Sequence, residues 1–232
     1  MAVLVGLAVV AGGAALFLLR EGPPGQDPVR PPDVRSLLRQ DTVATLSRTA
    51  DLDGDGVPEV VLASRSTLFA HFQLPAQYLD VYAHREGSWQ RILDGTVQAP
   101  PGNGAPDRML DTPGPELVGR LVDSIQVVDL AEDGAPEVAV GILTAGAGGG
   151  PLEVWILSMA EDGSLRTEYF VRTTRGGQVV PDGDRIILEF GVYRPQDAAC
   201  CPSRVERQVI GYDEATGSIG LLERTRRKSG QP

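Results

Sequence analysis

Several things this chain lacks, or has little of, narrow what it can do. Basic residues are outnumbered, the formal net charge is −10, and no basic patch with interleaved aromatics appears, so a nucleic-acid partner is not expected. Lys228 is the only lysine. The two histidines, His71 and His84, read as ordinary loop and strand residues rather than metal ligands. There is no HExxH motif, no nucleophile elbow and no Ser-His-Asp order, so no catalytic residue is assigned and an enzyme is not expected. The glycines at 146, 148, 149 and 150 lack the spacing and the following helix of a phosphate loop, which sets nucleotide binding aside. The acid pairs Asp107 with Asp111 and Asp182 with Asp184 read as turn formers in Gly/Pro-rich loops rather than a glycosidase couple.

Cysteine is confined to the adjacent pair Cys200 and Cys201. Neighbouring α-carbons lie about 3.8 Å apart, below the usual disulfide range, so a bridge between them closes a strained eight-membered ring. An oxidising compartment permits it. A vicinal disulfide is the first reading, two reduced structural thiols the second and a reactive thiol the third.

What is present centres on residues 51–59, Asp-Leu-Asp-Gly-Asp-Gly-Val-Pro-Glu. Asp51, Asp53 and Asp55 stand at alternate positions, and the glycines between them let the backbone curl so that the acids can converge on one hard cation. Val57 can add its carbonyl and Glu59 a closing carboxylate. An EF-hand would need its bidentate Glu at position twelve, where Leu62 stands, so that reading fails. A metal-free acidic turn is the alternative. The flanks, 42–50 and 57–63, are rich in β-branched and apolar residues and read as strands.

This pattern resembles the FG-GAP or VCBS-type repeat of integrin-like β-propellers, in which such a loop joins two antiparallel strands. The resemblance implies a secreted or surface β protein with bound calcium, held by Asp51, Asp53, Asp55, the Val57 carbonyl and Glu59. The family more often has Asp at that last place. The expected role of the metal is to brace a turn.

The loop has a second copy 78 residues on (129 − 51 = 78), with Asp129-Leu130 and Ala135-Pro136-Glu137-Val138 in step with the first. Ala131 replaces Asp53 and Glu132 replaces Gly54, so weak or absent metal binding is expected there. Each loop is followed by a strand pair, 79–84 with 89–93 and 152–159 with 165–171; Trp89 and Trp155 fall in these pairs, to pack between sheets or to line a carbohydrate-stacking surface. A third unit is drawn from 178–180, 185–193, 204–213 and 218–224, its loop shortened to a tight turn at 181–184. The expected fold is all-β, three four-stranded antiparallel meanders over about 41–94, 120–172 and 177–225. Three blades are too few for a usual closed propeller of about four to eight. An open stack of sheets, one curled sheet, or closure by pairing with another chain as a homo-oligomer are the alternatives.

Ahead of this domain, residues 1–19 form an apolar run, nearly long enough to cross a hydrocarbon core. It has neither a basic start nor a small-x-small end, which favours an uncleaved signal anchor over a cleaved signal peptide. Residues 21–32 hold five prolines and read as a tether, and Asp33 is placed to cap a short helix through Gln40, a lid over one end of a sheet. The Cys-Cys-Pro-Ser segment at 200–203 resembles the C-terminal part of the LppP/LprE family of actinobacterial lipoproteins, although the apolar run lacks the cysteine a lipid anchor needs. That resemblance implies export and no established enzymatic activity. The expectation is therefore an exported, membrane-tethered, calcium-binding module that binds a protein or carbohydrate, or scaffolds, at the cell envelope. An envelope polysaccharide or peptide hydrolase is the alternative.

Overall fold

A computed structural model of the chain describes residues 29–68, 77–93, 120–144, 150–160, 162–198 and 201–230. The apolar run at 1–19, most of the proline tether, His71, Asp107, Asp111, Cys200 and the glycines at 146, 148 and 149 lie outside these residues.

The described residues form three four-stranded antiparallel sheets, each a simple meander. The first comprises β1 (Thr42–Ala50), β2 (Glu59–Ser66), β3 (Gln77–Arg85) and β4 (Ser88–Arg91). The second comprises β5 (Arg120–Val128), β6 (Glu137–Thr144), β7 (Leu152–Met159) and β8 (Leu165–Arg172). The third comprises β9 (Gln178–Asp182), β10 (Arg185–Val192), β11 (Arg204–Asp213) and β12 (Ser218–Lys228). The repeat read from the loops extends to whole strands, since both ends of β5 and β6 lie 78 residues beyond those of β1 and β2 (120 − 42 = 78; 137 − 59 = 78). Even the irregularities match. Pairing shifts between Ala44 and Leu46 in the first sheet and between Val122 and Ser124 in the second, a bulge at the same repeat position.

Packing follows from the side-chain alternation of the middle sheet. In β6 and β7 six consecutive residues are buried, because both faces of this sheet are covered and a continuous apolar run replaces the usual in-out pattern. One face, with Val140, Ile142, Trp155 and Leu157, packs on Val61, Ala63, Leu79 and Val81 of the first sheet. The other, with Ala139, Val154 and Ile156, packs on Val179, Ile186, Leu188 and Ile210 of the third. Trp155 is fully buried between the first two sheets with its ring 4.4 Å from that of Phe170, so it is a core residue and not a carbohydrate platform. The described residues thus stack sheet on sheet, with the middle one as the shared layer.

The outer face of the first sheet is covered differently. Val34, Leu37 and Leu38 lie over Val60, Leu62 and Tyr82, and the Tyr82 hydroxyl donates to the Leu37 carbonyl at 2.7 Å. The lid therefore covers a face rather than an end. It is also shorter than expected: the helix α1 spans only Val34–Leu37, capped by Asp33, because Leu38 is already extended. Arg39 beyond it donates twice to buried Asp80, at 2.7 and 3.1 Å, which fixes the chain where a longer helix would have continued. Several strand boundaries also move, most by one to three residues; β9, for example, runs on to Asp182, so the turn expected at 181–184 narrows to Gly183 and Asp184. β2 starts at Glu59, after Pro58; β4 ends at Arg91; and β12 runs to Lys228 because β11 pairs with it from end to end.

Candidate metal centre

The loop between β1 and β2 is shaped by its own side chains. Gly54 and Gly56 take φ of +72° and +90°, which a side chain would disfavour. Asp53 Oδ1 accepts from the Asp55 amide at 3.1 Å, Asp55 Oδ1 from the Val57 amide at 2.7 Å, and Asp51 Oδ2 from the Gly56 amide at 2.9 Å. Glu59, only 2% exposed at the start of β2, reaches back so that Oε2 accepts from the Leu52 amide at 2.8 Å.

These bonds gather three carboxylates. Asp51, Asp53 and Glu59 can each offer one oxygen within 4.8 Å of the others, the closest such group among the described residues. Asp55 falls outside that group, its Oδ1 committed to the turn. Asp51 Oδ1 is buried and has no hydrogen-bond partner. Such an atom is costly unless something positive meets it. Burial, opposed by the Leu52 hydrogen bond and reinforced by the charges of Asp53, Asp55 and Asp51, pushes Glu59 up to about 8. Burial also raises Asp53.

The second loop serves as an internal control. Glu137 Oε2 accepts from the Leu130 amide at 2.8 Å, Asp133 Oδ1 from the Ala135 amide at 2.9 Å, and Asp129 Oδ2 from the Gly134 amide at 3.0 Å. Three of the four bonds of the first loop are thus rebuilt, the exception being the one that Asp53 accepts from the Asp55 amide. Two differences bear on metal. Asp129 Oδ1, unlike Asp51 Oδ1, accepts from the Asp133 amide at 3.2 Å, and Ala131 offers no carboxylate where Asp53 stands. Glu132 occupies φ +54° at the Gly54 position, so the second loop keeps the fold of the turn even with a side chain in the left-handed region. Burial pushes Glu137 up to about 7.

An all-carboxylate set with one orphaned buried oxygen suits a hard, oxygen-seeking cation such as calcium. What sequence reasoning did not find is the double duty of Glu59 and Glu137 as acceptors for Leu52 and Leu130. The matched Leu and Glu spacing in both copies was the available signal. Elsewhere, His84 sits on β3 with its ring 5.6 Å from Trp89, away from the acidic group. Asp184 pairs with its neighbour Arg185 at the β9–β10 turn. Cys201 is disulfide-bonded, and Cys200 is the only other cysteine in the chain. The chain matches no protein-family model and no curated protein sequence.

Proposed function

We propose that this chain is an extracytoplasmic, membrane-tethered β-repeat module that binds calcium at Asp51, Asp53 and Glu59 and serves a binding or scaffolding role at the cell envelope. The observation that carries the metal is the buried, unpartnered Asp51 Oδ1, set against the sister loop, in which the equivalent Asp129 oxygen accepts from the Asp133 amide. Asp55 and the Val57 carbonyl complete the set suggested by the resemblance to FG-GAP and VCBS-type loops. The ion's task is structural: it joins the end of β1 to the start of β2 and offsets the mutual repulsion of the acids. Tethering rests on the apolar run at 1–19 and export on both family resemblances.

Thermal unfolding of the chain in millimolar calcium and in chelator tests this reading. A ligand held only by the folded state, at a concentration about a hundredfold above its Kd, adds about 2.7 kcal/mol, or about 5–10 °C in a domain of this size. Asp53→Ala is expected to abolish the shift while leaving the chelated midpoint nearly unchanged. Equal midpoints in calcium and chelator for the unaltered chain would remove the metal from the proposal.

A further inference from the structure

The last strand of the third sheet leaves an edge open. β12 pairs with β11 from end to end, and on its other side no strand is hydrogen-bonded to it among the described residues. From Leu221 to Lys228 every residue is exposed. An edge of this kind presents a row of unpaired amides and carbonyls to any extended chain that can lie beside it.

Alternation sorts the side chains of this strand between two faces. Arg224, Arg226 and Lys228 share one face and stand opposite Gln208, Glu206 and Arg204 of β11. Arg224 and Arg226 both direct Nε at the Glu206 carboxylate, at 3.1 and 2.5 Å, while their side chains stay half exposed. No acid among the described residues pairs with Arg204 or Lys228. Four cations thus share a face with one carboxylate, in a chain whose net charge is −10. The opposite face of β12 is balanced, since it carries Glu223 and Arg227, and Arg227 pairs with Glu189 at 3.2 Å.

Spacing and sign together decide the occupant. Side chains two residues apart on a strand recur about every 6.8 Å, and an extended chain laid alongside carries its own alternate side chains at the same interval. Opposite charges so placed form cross-strand pairs, whereas like charges repel. A second copy adding its own β12 would set arginine against arginine. The charge therefore selects an acidic strand over the chain itself.

We propose that the open edge of β12 takes up an extended acidic peptide, with carboxylates at alternate positions, as a fifth strand of the third sheet. Backbone hydrogen bonds to the edge supply affinity, and Arg224, Arg226 and Lys228 set the register. This rests on reading the domain as a binding module, but not on the calcium.

The test is fluorescence anisotropy of a labelled peptide, Thr-Glu-Thr-Glu-Thr-Glu-Thr, titrated at low salt with the full chain in non-ionic detergent. Saturable binding is expected. Methylating either the glutamate or the threonine nitrogens removes the donors along one peptide edge, and only one of those edges faces β12. One methylation should therefore weaken binding at least about tenfold and the other little. A peptide of the same composition with its glutamates in a row should bind more weakly. Lys228→Gln should weaken the alternating peptide about two- to fivefold, whereas Arg227→Gln, an equal loss of charge on the opposite face, should change it by less than about twofold. No saturable binding, the same response to both methylations, or the same response to both substitutions would each overturn the proposal. Equal affinity for the clustered peptide would also overturn it, as a general attraction to polyanions. The calcium shift in unfolding midpoint is measured on the same preparation, so either reading can fail without the other.

Discussion

Glu59 has two competing demands on it, and the balance depends on whether a cation is present. Its carboxyl holds the Leu52 amide inside the protein while three aspartates crowd the same loop. Without metal its pKa is pushed up to about 8, and that of Glu137 to about 7, so between the ordinary carboxyl range and those values the native state binds more protons than the unfolded chain. A raised acid gives its full stability below about pH 4.5 and loses it as pH rises through the folded value. In chelator, the unfolding midpoint is therefore expected to fall steadily from pH 5 to pH 8.5. Saturating calcium should remove the Glu59 share of that fall by favouring the ionised carboxylate. Glu59→Gln keeps an acceptor for the Leu52 amide and should flatten the chelated profile; a slope identical to the unaltered chain would show that Glu59 does not titrate in this window. The spacing of acids and glycines was legible in sequence because these bonds span only a few residues. The desolvation that shifts Glu59 was not, since it comes from strands distant in the chain.

At the scale of elements, the repeated hairpin shows how far local sequence reaches. β1–β2 and β5–β6 share length, register and bulge, and the bulge places Leu46 opposite Ala63 in one copy and Ser124 opposite Gly141 in the other. A Cβ added at Gly141 would lie 2.5 Å from Ser124 Oγ and 3.5 Å from the Leu152 side chain. Gly141→Ala is accordingly expected to destabilise by about 1–3 kcal/mol, as overpacking does, read as a lower denaturant midpoint. Ser124→Ala in the same chain should restore part of it, because Oγ is the atom met first. Failure of that second change to help would place the cost in the backbone instead. Strand positions could be read from β-branched runs between glycine- and proline-rich turns. The helix after Asp33 could not be sized that way, since what stops it at Leu37 is a tertiary pairing of Arg39 with Asp80, 41 residues away.

For the molecule as a whole, the middle sheet is the element on which the other two depend. Its faces carry Trp155 toward the first sheet and Ile156 toward the third, and both are fully buried. A chain ending before Gln178 would uncover Leu152, Val154 and Ile156 together, and in a stack each layer is stabilised mainly by its neighbours. Such a truncated chain is expected to aggregate or to unfold without cooperativity, measured by light scattering and circular dichroism. A monomeric, cooperatively folded product would mean that the first two sheets suffice. Arg85, whose guanidinium donates to the Gly163 carbonyl at 2.8 Å, adds a polar link between the turns of the first two sheets that neither repeat shows by itself.

By itself the sequence determined the number of units, the strands within the paired loops, and the curl of residues 51–59, because glycine freedom, side-chain-to-amide bonds and alternation act within about ten residues. Only the tertiary structure decided which faces meet, why the middle sheet is apolar on both sides, which Asp51 oxygen is left without a donor, and that Arg204, Arg224, Arg226 and Lys228 share a face with Glu206. Those outcomes are set by burial and by contacts between residues far apart in the chain, for which local spacing carries no record.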